Sequence, residues 1–217
     1  MTSAVSVIAI EGKGPNALTV EAIAALSSAL DEAEADPAVE AILLKGKPGG
    51  AFCVGLDNAV LADGEAAAAD LLNAMGHLLL RLFTSHLRIV AQVEGHAVAA
   101  GAMLLLVSDL RIGTPGNYRV GFSEVGIGMP LPGLPLALAR HRLTPTWLTR
   151  TTALADLLPP DDAQAAGFLD HVTDNVDAAA LQGAERLAAL PRTAYTQTAA
   201  TLRAAAVQEM KLSLGVR

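Results

Sequence analysis

Short apolar strands recur along the first half of the chain, each followed by a turn of small residues or by a helix. Residues 5–10 alternate between apolar and polar side chains, and residues 40–45, 88–93 and 109–112 also have the composition of strands. Strands that alternate with helices are typical of α/β folds, and 217 residues can bury the core of one such domain. We therefore expect a single α/β domain.

Helices are predicted between these strands and throughout the last third of the chain. Thr19 can cap an Ala- and Leu-rich helix that runs to about residue 35 and ends at Asp36-Pro37. After Ala66 the apolar residues recur at the spacing of one helix face, at Leu71, Leu72, Met75, Leu78, Leu79 and Leu82. Beyond residue 128 the pattern is mostly helical, with segments near 136–142, 145–155, 161–166, 177–190 and 192–211. Since no linker separates the two parts, the helices are predicted to complete the same domain.

Composition argues against several classes of function. The net charge is −7 and no Lys/Arg-rich run is present, so the clustered cations that bind nucleic acid are missing. The longest apolar run, residues 96–107, is too short to span a bilayer, and the N-terminus has no basic leader. Cys53 is the only cysteine, and no His/Cys group has metal-ligand spacing. We expect a cytoplasmic protein with no metal, no membrane span and no nucleic-acid partner.

Three segments carry the candidate chemistry: residues 51–57 (AFCVGLD), 93–109 and 120–129 (VGFSEVGIGM). In the first, the small-residue turn at Val54-Gly55 allows the backbone N–H of Leu56 to point into a cleft. In the second, a small-residue turn opens a helix whose first N–H groups lack partners, with Ala100 at that end. Two such donors on one oxygen form an oxyanion hole. In the third, Glu124 lies among apolar residues that would raise its pKa and make it a candidate base.

As an ordered set, these segments resemble the crotonase family, whose members bind acyl-CoA thioesters and stabilise their enolates. The similarity runs from about residue 5 to residue 200 and includes PNALTV before the first helix, GLD after the first donor segment and DAQAAGFLDHV near the end. The resemblance implies an α/β spiral of ββα units with a helical C-terminal layer. Residues 1–190 would form the acyl-CoA-binding core and residues 191–217 a C-terminal helical segment that packs on the core or on a neighbouring subunit.

The resemblance also assigns roles to individual residues. The two oxyanion donors map to the N–H groups of Leu56 and Ala100, where most relatives have glycine at the second position; the extra methyl group does not remove the N–H. The residues expected to line the substrate site are Cys53, Val54, Gly55, Asp57, Val98, Gly101 and Met103. Coenzyme A would enter as part of the substrate, with no separate cofactor. The expected assembly is a homotrimer or a dimer of trimers.

Met103 indicates which reaction of the family to expect. Hydratases of the family carry a glutamate at this position and a second one at the position of Glu124, whereas methionine cannot transfer a proton. The pattern is similar to that of monofunctional Δ3,Δ2-enoyl-CoA isomerases, in which one carboxylate moves a proton from C2 to C4. Hydratase or another enolate reaction stays open, because Glu65 or Asp70 could supply a second acid. A catalytically silent acyl-CoA-binding protein is the remaining alternative.

Several of these residues also have ordinary structural interpretations. Taken alone, Glu124 would be a solvated or ion-paired side chain, and the glycines would serve tight turns. Cys53 has no evident histidine partner, so it is interpreted as a small packing residue. The neighbouring pair Glu94 and His96 resembles a catalytic dyad, although a structural role is favoured.

Overall fold

A computed structural model describes residues 4–216, and within that range the chain forms seven strands, nine α-helices and one 3-10 turn. The strands are β1 (Val5–Ala9), β2 (Ala41–Lys45), β3 (Arg88–Val93), β4 (Ala97–Val98), β5 (Leu110–Gly113), β6 (Val120–Gly121) and β7 (His171–Val172). The helices are α1 (Val20–Ala35), α2 (Asn58–Ala62), α3 (Glu65–Thr84), α4 (Ala100–Val107), α5 (Gly133–Arg142), α6 (Pro145–Thr151), α7 (Pro160–Ala166), α8 (Val176–Ala188) and α9 (Arg192–Ser213). The 3-10 turn covers Val125–Ile127.

The main sheet has five parallel strands in the order β1-β2-β3-β5-β7. Parallel neighbours need long crossover connections, and the helices supply them. The larger apolar core lies between one face of the sheet and helices α1, α3, α4, α5 and α9. A smaller cluster on the other face joins Leu43, Val90 and Ile112 of the sheet to Ala180 and Ala184 of α8. The sheet is therefore covered on both faces, as parallel sheets usually are.

Short strand pairings form a second layer beside the main sheet. Strand β4 pairs in parallel with β6, and isolated bridges join Leu18 to Leu56, Cys53 to Ala97 and Val120 to Leu158. Strands β1, β2, β3 and β5 are thus each followed by a short pairing segment, and three of these four segments lead into an α-helix. This arrangement is the α/β spiral of ββα units that the sequence predicted, so the predicted fold class is confirmed.

Local sequence signals account for the first helix, and only in part for the third. Helix α1 begins after Thr19, whose hydroxyl accepts a hydrogen bond from the N–H of Ala22, and ends at Asp36. In α3 the predicted apolar stripe is buried, with one exception. Leu72 is 47% exposed, although Leu79, which lies two turns further along nearly the same face of the helix, is buried.

One predicted helix ends early in the structure, and several short elements were not predicted. Helix α6 ends at Thr151 instead of about residue 155, because Ala155 adopts a positive φ of 53° that an α-helix cannot contain. The strands β4, β6 and β7 and the helix α2 were not predicted. Strands of two residues are too short to show an alternating pattern.

Helix α9 packs against α5 and α3. It covers most of the predicted C-terminal segment, and Arg217, like residues 1–3, lies outside the described residues. The division at residue 190 stays a prediction. No helix in the range 4–216 combines the length and the apolarity that a membrane crossing requires.

Candidate active site

Strand β4 brings the three predicted segments together. On one side of it, the N–H of Cys53 donates to the carbonyl of His96 (3.0 Å) and the N–H of Val98 donates to the carbonyl of Cys53 (2.9 Å). On the other side, β4 pairs with β6, and the N–H of Ala99 donates to the carbonyl of Gly121 (3.0 Å). The segment that ends at Leu56, the one that leads to Ala100 and the one that leads to Glu124 are therefore hydrogen-bonded side by side.

The first donor segment is held from both edges. The N–H of Leu18 donates to the carbonyl of Gly55, and the N–H of Asp57 donates to the carbonyl of Leu18, both at 2.8 Å. Since successive peptide groups of an extended segment point to opposite sides, these two bonds direct the N–H of Leu56 away from Leu18. Residues 96–98 lie along that other edge. The Leu56 N–H has no hydrogen-bond acceptor within residues 4–216.

Ala100 is the first residue of α4, as predicted. Its N–H has no partner within the helix, as expected at a helix N-terminus. The preceding residue, Ala99, has φ 53° and ψ −115°, a conformation that residues other than glycine rarely adopt. Two bonds hold it there: its N–H donates to Gly121, and its carbonyl accepts from the N–H of Met103 (3.1 Å). This strained turn sets the direction in which the Ala100 N–H leaves the helix.

Glycine allows the two donor segments to approach each other. A Cβ atom on Gly101 would lie 2.2 Å from the carbonyl oxygen of Cys53, which is far inside the contact distance. Gly55 has a φ of 107°, and a Cβ there would lie 3.2 Å from the Cβ of Ala99. The first turn of α4 therefore rests directly on the backbone of the loop that carries Leu56.

Replacing Gly101 by Ala should separate these segments. We expect a loss of about 1–3 kcal/mol in the free energy of unfolding, because the new methyl group must displace a backbone carbonyl. Urea unfolding would measure the loss. Gly126→Ala is the matched control, since its Cβ would meet its nearest neighbour at an ordinary 3.6 Å. Equal stability of the two variants would contradict the close contact.

Glu124 follows β6 and stands at the start of the 3-10 turn. Its carbonyl accepts hydrogen bonds from the N–H groups of Ile127 and Met129, which close the turn over residues 124–129. The side chain is half-buried, and its Oε2 atom is buried with no hydrogen-bond partner. Burial raises the pKa of the carboxyl above its ordinary 4.5, opposed by the backbone N–H groups of Glu124 and Ser123. The carboxyl group is therefore neither ion-paired nor fully solvated.

Met103 lies one helical turn after Ala100. All eight residues of α4 are described, and Met103 is the only one that is not buried. A half-buried methionine on an otherwise buried helix presents an apolar surface to a cleft or to a partner. Contact of Met103 with a substrate stays a prediction.

The other predicted site residues divide into loop and packing positions. Cys53 is fully buried, and burial raises the pKa of its thiol to about 12, which supports its interpretation as a packing residue. Asp57 caps α2 by accepting from the N–H of Ala59 (3.0 Å) and pairs with Lys13 (3.2 Å). Val54 and Val98 are half-buried. Contact of these residues with a substrate stays a prediction.

The apparent dyad of Glu94 and His96 does not form. His96 is exposed, and its Nδ1 accepts a hydrogen bond from the N–H of Arg119 (3.1 Å). Glu94 instead accepts from the side-chain amide of Gln92 (2.7 Å). The structural interpretation is therefore supported. Glu65 and Asp70, the candidate second acids, are both exposed on α3.

Sequence reasoning missed the role of Asn16. This residue is fully buried with a positive φ of 77°, and its side-chain amide donates to the carbonyls of Ala51 (3.2 Å) and Phe52 (2.6 Å). Its own backbone carbonyl accepts from the N–H of Val54 (3.2 Å). Asn16 thus fixes the loop that carries Leu56. The motif PNALTV entered only as part of the family resemblance, and no local pattern indicated the distant partners of its asparagine.

Comparisons with known proteins agree with this geometry. Residues 1–214 match the sequence profile of the enoyl-CoA hydratase/isomerase family. The chain is 32% identical over 200 residues to the probable enoyl-CoA hydratase EchA14 of Mycobacterium tuberculosis, which covers 88% of this chain and 74% of that protein. It is 27% identical over 210 residues to the mitochondrial enoyl-CoA delta isomerase 1 of Homo sapiens, covering 95% of this chain and 70% of that one. A crystal structure of an enoyl-CoA hydratase/isomerase family protein from Pseudomonas syringae superposes with a TM-score of 0.94 at 32% identity, covering 99% and 93% of the two chains.

The chain therefore belongs to the enoyl-CoA hydratase/isomerase family, the crotonase family that its sequence resembles. The broader prediction, an enzyme of this family, is confirmed. Its relatives carry both hydratase and isomerase names, so the family alone does not fix the reaction. In the part of the chain that the structure describes, no group of three or more His, Cys, Asp or Glu side chains could hold a metal ion.

Proposed function

We propose that the protein is a Δ3,Δ2-enoyl-CoA isomerase in which Glu124 is the only proton carrier. The Glu124 carboxylate removes a proton from C2 of a 3-enoyl-CoA, and the electron pair moves into the thioester to form a dienolate. The N–H groups of Leu56 and Ala100 hold the developing negative charge on the thioester oxygen. Glu124 then returns the proton to C4, so that the double bond moves from C3–C4 to C2–C3 and the carboxylate is regenerated.

The buried, unpartnered oxygen of Glu124 is the observation that carries this proposal. A carboxyl group that is paired with a cation loses basicity, whereas a desolvated one keeps it. Oε2 of Glu124 has no partner, and burial raises the pKa of the group. The half-buried carboxyl group can therefore take up a proton and release it at the same position.

Met103 favours the isomerase over the hydratase. Addition of water needs one group that activates the water and another that protonates carbon, and the second carboxylate of the family's hydratases would stand at position 103. A methionine there supplies no proton and excludes water from the space beside the dienolate. The exposed positions of Glu65 and Asp70 also support a single carboxylate.

Product analysis tests the reaction. Purified protein would be given a 3-enoyl-CoA and, separately, a 2-enoyl-CoA, with the products separated by chromatography. Interconversion of the two enoyl isomers with no 3-hydroxyacyl-CoA is the result expected of an isomerase. Formation of 3-hydroxyacyl-CoA would favour the hydratase, whose name several relatives carry. Binding of CoA thioesters with no conversion would identify a catalytically silent protein.

The raised pKa of Glu124 predicts how the rate depends on pH. The base must be ionised to remove the C2 proton, so kcat/KM should fall as the pH drops through the pKa of Glu124. Because burial raises this pKa, the midpoint should lie above the ordinary value of 4.5. A pantetheine thioester, which lacks the titrating CoA phosphate, is the matched control substrate. A midpoint at or below 4.5 would contradict the desolvated base.

Assembly, cofactor and location are proposed from the family resemblance. We propose a homotrimer or a dimer of trimers, with coenzyme A bound only as part of the substrate and no separate cofactor. The proposed cytoplasmic location rests on the single cysteine in the sequence. Light scattering of the purified protein would measure the subunit number.

A further inference from the structure

A groove lies beside the first half of α9, where this helix meets the ends of α4 and α5. Its volume is about 410 Å³, within the range of roughly 300–1,000 Å³ that is usual for small-molecule sites. One wall is apolar and includes Leu190, Pro191, Ala194 and Leu202. The groove is at the C-terminal end of α4, whereas the candidate active site is at its N-terminal end.

Arg142 lines this groove, and its guanidinium forms no ion pair with a carboxylate of residues 4–216. Its Nε donates to the carbonyl of Leu106 (3.0 Å) and its Nη2 to the carbonyl of Ser108 (2.8 Å). Nη1 donates no hydrogen bond to any residue that the structure describes. The guanidinium is thus fixed in position by two carbonyls, while one of its nitrogens stays available.

The carboxylate that lines the groove, Asp109, is already engaged. It forms an ion pair with Arg203 and accepts hydrogen bonds from the hydroxyl of Tyr195 (2.9 Å) and the N–H of Ile89 (2.9 Å). Its oxygens are therefore occupied by these donors, and Asp109 forms no ion pair with Arg142.

Arg111 adds to the positive charge behind the groove. Two of its nitrogens bind Asp170, at 2.8 and 2.6 Å, and its buried Nη1 has no partner. Burial and the nearby charges of Arg111 and Arg203 lower the pKa of Arg142 to about 10, partly opposed by the carboxylates of Asp109 and Asp170, so Arg142 remains cationic at neutral pH. Among the residues that the structure describes, the three cations of Arg111, Arg142 and Arg203 thus share the two carboxylates of Asp109 and Asp170.

We propose that this groove binds a small monocarboxylate with an apolar chain. The carboxylate would supply the missing negative charge at Arg142, where an ionised acceptor makes stronger hydrogen bonds than a neutral one. The chain would lie against Leu190 and Leu202 at the apolar wall. The site is separate from the proposed isomerase centre and does not depend on it.

Calorimetry with octanoate tests the site directly. Octanoate is expected to bind at least tenfold more tightly than octanamide, which has the same chain without the charge, and more tightly than acetate, which has the charge without the chain. Raising the salt concentration should weaken octanoate binding, since part of its affinity is ionic. Equal affinities for octanoate and octanamide would overturn the proposal.

Two substitutions at Leu202 provide a matched pair. This side chain is 68% exposed, so either change should leave the fold intact. Leu202→Glu is expected to bind octanoate at least tenfold more weakly than Leu202→Lys, because both changes remove the same apolar contact and only the first adds a negative charge to the wall. Equal affinities of the two variants would contradict the site.

The groove could instead hold a second copy of the chain. In that case octanoate would not bind, and Leu202→Glu would have a lower assembly mass in light scattering. This result would identify the groove as a contact between copies of the chain and overturn the proposal. Neither result would affect the isomerase assay.

Discussion

Glu124→Gln is expected to lower kcat for isomerisation of a 3-enoyl-CoA by about 10²–10⁴, the range that a positioned general base contributes. The amide has nearly the same shape but cannot accept the C2 proton. KM should change little, because substrate binding is assigned to backbone donors and apolar contacts. The rate can be followed by the ultraviolet absorbance that appears when the double bond becomes conjugated with the thioester.

The control for this prediction is another glutamate. Glu185 is exposed on α8, and Glu185→Gln should leave kcat unchanged. The unfolding midpoint of Glu124→Gln should equal or exceed that of the wild type, since a neutral amide replaces a carboxylate that is costly to desolvate. A fully active Glu124→Gln enzyme would remove this residue from the mechanism.

Ala100→Pro is expected to lower kcat by about 10²–10³, the usual effect of deleting one oxyanion donor. Proline has no N–H, and the first position of a helix is where proline is best tolerated. Ala100 occupies that position in α4. The strained conformation of Ala99 makes the substitution costly in stability as well, so circular dichroism must show that the variant is folded.

Val20→Pro is the matched control for loss of an N–H. Val20 is the first residue of α1, is 40% exposed and is preceded by Thr19 in an extended conformation that precedes proline readily. The kcat of the Val20→Pro variant should equal that of the wild type. A folded Ala100→Pro variant with wild-type kcat would show that the Ala100 N–H does not stabilise the transition state.

The sequence predicted the elements whose signals are local. The cap at Thr19, the strand of residues 88–93 and the start of α4 at Ala100 each depend on a few neighbouring residues, and all three are confirmed. The predicted burial of Leu72 and the predicted end of α6 near residue 155 were wrong, because burial and a positive φ are set by contacts outside the segment. Composition alone does not reveal either.

The assembly of the site could be predicted only as a set of separate segments. Nothing in the sequence says that β4 pairs with Cys53 on one side and with β6 on the other. The amide contacts of Asn16 with Ala51 and Phe52 likewise join residues that are far apart in the chain. Such pairings leave no periodic pattern, so resemblance to a family was needed to bring the segments together.

The ladder of short pairings has a consequence for how the protein is made. Leu18 pairs with Leu56, Cys53 with Ala97, Ala97 with Val120 and Val120 with Leu158, so every step joins parts of the chain that are synthesised well apart. Contacts between distant parts of a chain form slowly, because the intervening loop must first be closed. During translation, the loop that carries Leu56 therefore lacks hydrogen-bond partners on one edge until residues 96–98 have left the ribosome. The segment that positions Glu124 pairs with β4 later still.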